Sequence, residues 1–87
     1  MAGSPEWNLA EEVAKGILLD EAIVRMTRMS AEEVLARHQR RLSSLEKRIA
    51  ELPPGTISTA RNMWERRRAL QDGLVQYYRK PQLQRIA

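Results

Sequence analysis

Three consecutive arginines follow a tryptophan in the segment "WERRRAL" at residues 64–70. A guanidinium group presents five N–H donors in a planar fork that binds phosphate and carboxylate groups, and it also stacks on aromatic rings. On a helix, successive side chains point about 100° apart, so the three arginines cannot form one site. The helical wheel directs Arg66 to solvent and puts Arg68 on the flank, whereas Arg67 falls at the centre of the apolar face.

Arg67 is therefore predicted to be a buried cation that needs a partner, because an unpaired buried charge is strongly destabilising. The acids that could pair with it are Asp20 and Glu21 in the N-terminal segment and Glu46 further along the chain. Three roles remain open for Arg67. It forms a structural pair inside the fold, it pairs across an oligomer interface, or it binds an anionic ligand.

Further cations recur along the C-terminal part of the chain and could form a nucleic-acid-binding surface, since lysine and arginine side chains neutralise phosphates. The candidate residues are Arg37, Arg40, Arg41, Lys47, Arg48, Arg61, Arg66 and Arg68. The alternative is a solvated helix face whose arginines pair with glutamates at helical spacing. Trp64, Tyr77 and Tyr78 are predicted to pack in the core and not to stack on bases.

His38 is the only histidine, and the chain has no cysteine. Because a structural zinc ion needs about four ligands, we predict no metal site. We expect His38 to lie between two helices and to hydrogen-bond a neighbour such as Gln71. The sequence shows no Gly-rich phosphate-binding loop, no nucleophile beside a base and no carboxylate pair placed for acid–base chemistry. It therefore predicts neither an enzyme nor a bound cofactor.

Helix caps and proline divide the C-terminal two thirds of the chain into two helices. Ser30 and Glu33 form a predicted capping box that opens a helix at about 31–52. The Pro53–Gly55 segment ends that helix and reverses the chain. Ser58, or Thr56 before it, is expected to cap the next helix, at about 57–80.

These two helices are predicted to form an antiparallel hairpin, because both are amphipathic and the connection between them is short. The first has a heptad stripe made of Leu35, His38, Leu42, Leu45, Ile49 and Leu52. Counting outward from the turn along both helices gives the predicted register. It places Leu45 beside Trp64, Leu42 beside Arg67, and His38 beside Gln71.

The N-terminal segment, about 5–28, is predicted to be a kinked helix that packs on the hairpin, with Ser4 as its cap. Its first apolar residues share one side of the wheel: Ala10, Val13, Ala14 and Ile17. Later ones lie on a side rotated by more than a third of a turn: Leu18, Leu19, Ala22, Ile23, Met26 and Met29. The change falls at Gly16, a poor helix former, so a break or kink is expected there, between a short helix at 5–15 and a second at 17–28. The fold class is all-α, a small three-helix bundle.

The length of 87 residues allows one domain, predicted for residues 4–80, with a frayed tail at 81–87. The net charge is +4 and is unevenly distributed, since residues 1–34 carry three cations and seven anions while residues 35–87 carry twelve cations and four anions. No apolar run is long enough to cross a bilayer, no signal peptide is apparent, and cysteine is absent, so we expect a cytoplasmic protein.

The leading functional hypothesis is a non-enzymatic interaction module, namely an adaptor, inhibitor, assembly factor or chaperone-like subunit of a bacterium or phage. It would bind another protein or a second copy of itself, with no membrane or metal involved. The predicted contact residues are Trp7, Leu19, Val24, Arg67, Tyr77 and Tyr78. The alternative is a small DNA- or RNA-binding protein that uses the arginine-rich face of the two hairpin helices.

Overall fold

The computed structural model describes residues 7–80, which form three α-helices. They are α1 (Leu9–Thr27), α2 (Ala31–Ala50) and α3 (Ser58–Arg79), and no strand occurs within the described residues. Helices α2 and α3 form the hairpin, and α1 packs mainly against α3. The predicted all-α, three-helix fold is confirmed. The predicted tail at 81–87 lies outside the described residues.

Helix α1 begins later than the sequence pattern suggests. Trp7 and Asn8 are not helical, and the Asn8 side chain caps the helix by accepting a hydrogen bond of 3.2 Å from the Glu11 amide. Asparagine is among the strongest N-caps, which explains the start at Leu9. Ser4, the predicted cap, lies outside the described residues. At the other end, Arg28 adopts the left-handed conformation (φ 59°), and its N–H donates to the Val24 carbonyl.

The capping box of α2 is confirmed, with the Glu33 amide 3.1 Å from Ser30 Oγ and the Ser30 amide 3.2 Å from Glu33 Oε1. The cap predicted for α3 is wrong. The Thr56 hydroxyl instead donates to the Pro53 carbonyl at 2.7 Å and stabilises the turn. Ile57 is the N-cap residue of α3 and makes no side-chain capping bond.

The expected break at Gly16 is also wrong, because α1 continues through this residue. A Cβ atom built on Gly16 would lie 3.1 Å from Leu74 Cδ2, and one on Gly73 would lie 2.7 Å from Val13 Cγ2. The two glycines therefore allow α1 and α3 to approach closely. Packing against α3 offsets the low helix propensity of glycine, which amounts to about 1 kcal/mol.

Helix α1 runs in the same direction as α3 and covers only part of it. Trp7 lies beside Arg66, Val13 beside Gly73, and Asp20 beside Tyr78. The buried apolar residues among 7–80 lie in this covered part of the hairpin: Val34, Leu74 and Val75. Toward the turn, α1 no longer covers the hairpin, and Ile57 and Met63 are exposed.

Candidate interaction surfaces

A buried polar cluster joins all three helices beneath α1. His38 of α2 is only 4% exposed, and its Nε2 atom lies 2.8 Å from Oδ2 of Asp20 in α1. The Tyr78 hydroxyl donates to the same oxygen at 3.0 Å, and the Gln71 side-chain amide contacts Nδ1 of His38. The predicted contact between His38 and Gln71 is confirmed. The contribution of Asp20 and Tyr78 was not anticipated from sequence.

The donors and acceptors of this cluster match when the His38 proton is assigned to Nε2. The Gln71 NH₂ group then donates to Nδ1, while Nε2–H donates to Asp20. No buried side-chain nitrogen or oxygen among the described residues lacks a partner. Because both ring nitrogens of His38 are engaged inside the fold, the ring offers no lone pair to a ligand. The cluster acts structurally, by joining the helices in one arrangement.

Arg67 is exposed, so its predicted burial is wrong, and none of the ion pairs within residues 7–80 involves it. The reason for its exposure is that α1 begins only at Leu9, one turn before Val13, which lies beside Gly73. Helix α1 therefore does not reach back along α3 as far as Arg67, and the apolar face is open to solvent there. The Arg67 guanidinium carbon lies 5.3 Å from the ring centroid of Trp64. Asp20, one of the expected partners, is bonded to His38 and Tyr78.

The α2 part of the predicted basic surface is continuous, and we call it the α2 basic face. Its members are all exposed and lie within about 120° of the helical wheel: Arg37, Arg40, Arg41, Lys47 and Arg48. The ion pairs within residues 7–80 involve none of these five side chains. The only acids on this side of α2, Glu33 and Glu51, lie at its two ends.

The α3 members of that surface do not extend it. Arg66 stacks on Trp7 at 5.5 Å, Arg68 pairs with Glu65 at 3.0 Å, and Arg61 is half-buried. Arg66 and Arg68 line one small surface cavity, whereas Arg37, Arg40 and Arg41 line another. The eight predicted cations are therefore divided between separate places, and only those of α2 form one surface.

Trp64 lies at the edge of the α2 basic face and is half-buried, so it is less enclosed than predicted. The Arg48 guanidinium is 5.8 Å from its ring centroid, on the α2 side, and Arg67 approaches from α3. A shallow cavity of about 340 Å³ separates Trp64 from Arg41 and from Ser44. This is the one place where an aromatic ring and several cations of the hairpin meet.

The outer side of α1 carries exposed apolar side chains, and we call it the α1 outer face. Leu18, Leu19 and Met26 are 65%, 63% and 83% exposed. They lie roughly 100–160° around the helix from the buried Asp20. The rotation of the apolar pattern at Gly16 thus marks a second, uncovered face of one continuous helix. Leu19 was predicted as a contact residue. Leu18 and Met26 were not among the predicted contact residues, although they belong to the same apolar sequence pattern.

Three other predicted contact residues line a groove of about 700 Å³ between α1, the start of α2 and the end of α3. They are Val24, Tyr77 and Tyr78, all half-buried. Ile17 and Val34 also line this groove, with Glu21 and Arg25 at its α1 side. Trp7 lies near the other end of α1, under Arg66, so the six predicted contact residues do not form one patch.

The fold and these surfaces define a small three-helix protein with a structural polar centre and two separate exposed faces. One is the side of α1 that carries Leu18, Leu19 and Met26, and the other is the α2 basic face. The chain matches no protein-family model, no curated protein and no solved structure at a significant level. Among residues 7–80, no helix is sufficiently long and apolar to cross a membrane, and no group of three or more histidines and acids is placed to hold a metal ion.

Proposed function

We propose that this protein is a non-enzymatic helical interaction module that binds protein through the α1 outer face. The observation that carries the proposal is the exposure of three large apolar side chains, Leu18, Leu19 and Met26, on the uncovered side of one helix. Single exposed apolar residues are common on soluble proteins, but several large ones on the uncovered side of one helix are typical of a surface that another protein covers.

The energetics favour a partner that covers this face. Burying a leucine or methionine side chain contributes about 1.5–3 kcal/mol, so three such side chains supply several kcal/mol toward binding. The chain already has a helix side that packs on α3, formed around Val13 and Asp20, so its folding does not need the outer face. A role as adaptor, inhibitor, assembly factor or chaperone-like subunit is consistent with such a face.

We expect the double substitution Leu19→Glu with Met26→Glu to weaken binding of a protein partner at least tenfold, because two desolvated contacts become charged. The wild-type chain is immobilised, a partner is captured from an extract of its own organism and identified, and the purified partner is then titrated by calorimetry. Met63→Glu is the matched control, since Met63 is an exposed methionine on α3 near the turn. Equal affinity of the double variant and the wild type would contradict the proposal.

The second candidate function is nucleic-acid binding by the α2 basic face. The observation in its favour is that five exposed cations lie together without an ion pair among the described residues, next to the half-buried ring of Trp64. Cations of this kind release counterions when they bind phosphates, which makes such binding strongly salt-dependent. A ring beside them could stack on an unpaired base.

If this second function is correct, fluorescence anisotropy with single-stranded and duplex oligonucleotides should show micromolar binding at low salt that falls steeply as salt increases. Arg40→Glu with Arg41→Glu should then weaken binding at least tenfold, because two attractive charges become repulsive. Arg66→Glu is the matched control, since Arg66 lies away from this face beside Trp7. Absence of binding at low salt would reject this function.

A further inference from the structure

The residues of α1 are arranged symmetrically about Leu18, which is the midpoint of the helix Leu9–Thr27. Two alanines lie four residues on either side of it, and charges of opposite sign lie three and seven residues on either side. In chain order these residues are Glu11, Ala14, Lys15, Leu18, Glu21, Ala22 and Arg25. If the helix is turned end to end about Leu18, Glu11 therefore takes the place of Arg25, and Glu21 takes the place of Lys15.

All seven residues lie on one side of the helix. At 100° per residue they fall within about 60° of Leu18, and the buried Asp20 lies nearly opposite. Six of them are exposed, and Ala22 is half-buried between larger neighbours. The symmetry in the sequence thus coincides with the side of α1 that α2 and α3 leave uncovered.

We propose that two copies of this chain pair through α1 in antiparallel orientation, across a two-fold axis at Leu18. This inference rests on the proposed function and names the partner of the α1 outer face. In the pair, Leu18 contacts Leu18 of the second copy, and Ala14 lies opposite Ala22 of the second copy. The small alanine side chains allow the two helices to approach closely around the central leucines.

The charges on this side of α1 determine the direction of pairing. In the antiparallel arrangement, Glu11 of each copy lies level with Arg25 of the other, near the centre line of the contact, so both ends carry an attractive pair. A parallel arrangement would instead place Glu11 against Glu11 and Arg25 against Arg25, and like charges held together disfavour association. A two-fold axis also gives a closed dimer, in which the same patch is used on both copies.

The size of the contact indicates its strength. A helix of 19 residues is about 28 Å long, so one face of it covers less than the roughly 800 Å² per partner of a standard interface. Leu19 extends the contact. It follows Leu18, through which the two-fold axis passes, and Leu19 of the second copy lies on the same flank of the helix pair. We therefore expect a dimer with a dissociation constant in the micromolar range.

Sedimentation velocity of the pure full chain, from about 1 µM to about 1 mM, tests the pairing directly. The wild type is expected to pass from monomer to dimer in this range, while Leu18→Glu remains monomeric because it places two carboxylates at the axis. Met63→Glu, an exposed residue of α3, is expected to dimerise as the wild type does. Circular dichroism and melting temperature confirm that each variant is folded.

A charge-reversal cycle tests the orientation. Glu11→Lys and Arg25→Glu are each expected to weaken the dimer about tenfold, because each leaves like charges at both ends. The two changes combined in one chain exchange the charges and are expected to restore the dimer. A wild-type chain that is monomeric throughout would overturn the pairing, as would a combined variant no better than the single ones. A monomeric wild-type chain would overturn the self-pairing but not the proposed binding of another protein. The capture experiment tests that binding separately, so the two failures are distinguishable.

Discussion

Replacing Asp20 with alanine is expected to lower the free energy of unfolding by about 3 kcal/mol, because the buried His38 donor and the half-buried Tyr78 donor lose their common acceptor. Each unsatisfied buried donor costs about 1–3 kcal/mol. Small domains are stable by only about 5–15 kcal/mol, so this loss is a large fraction of the total. The melting temperature should fall by roughly 12–24 °C for a domain of this size.

Urea unfolding followed by circular dichroism measures this effect. Glu46→Ala is the matched control, since Glu46 is an exposed acid on α2 with no ion pair among residues 7–80, and it should change stability by less than about 0.5 kcal/mol. Asp20→Asn should give an intermediate loss, because the amide retains an oxygen acceptor but introduces an NH₂ group that the cluster has no acceptor for. An Asp20→Ala protein as stable as the control would mean that the cluster does not hold the helices together.

Replacing Gly73 with valine is expected to destabilise the fold by about 2 kcal/mol. The new Cβ atom would lie 2.7 Å from Cγ2 of Val13, and a β-branched side chain such as Val13 cannot turn away easily in a helix. The gain in helix propensity over glycine is less than about 1 kcal/mol and does not offset the overlap. The lost contact is that between α1 and α3, so the hairpin should retain its helices better than α1 does.

Denaturant unfolding and hydrogen exchange of α1 amides test this second prediction. Val13→Ala in the Gly73→Val background should recover about half of the loss, because it removes the overlapping methyl groups. Gly55→Val is the matched control and should be nearly neutral, since no atom lies within 4 Å of a Cβ built on Gly55. If the Val13 change made the Gly73 variant less stable still, the close approach of α1 and α3 at this point would be wrong.

The elements specified by neighbouring residues were predictable from sequence. The capping box of Ser30 and Glu33 involves residues three apart, and the proline-rich turn reverses the chain within a few residues. The hairpin follows, because a short turn between two amphipathic helices leaves one antiparallel register. That register places His38 beside Gln71, and the structure confirms this contact.

The arrangement around α1 was not predictable in the same way, because it depends on contacts between residues far apart in the chain. Asp20 and Tyr78 are 58 residues apart, and no local pattern connects them. Gly16 has low helix propensity, and only its close contact with Leu74 explains why the helix continues through it. The same cause accounts for Arg67. Its wheel position is central, but whether that position is buried depends on how far along α3 helix α1 extends.

Sequence alone therefore determined three helices, the capping box of α2, and the hairpin with its register. These features depend on residues that lie within a few positions of one another. The tertiary structure decided which apolar side of α1 is buried, which acid His38 binds, and which cations form one surface. The first two follow from the position of α1 on α3, where two glycines fit against Leu74 and Val13. The third follows from the contacts of Arg66 with Trp7 and of Arg68 with Glu65. Such a fit depends on shapes that meet only in the folded chain.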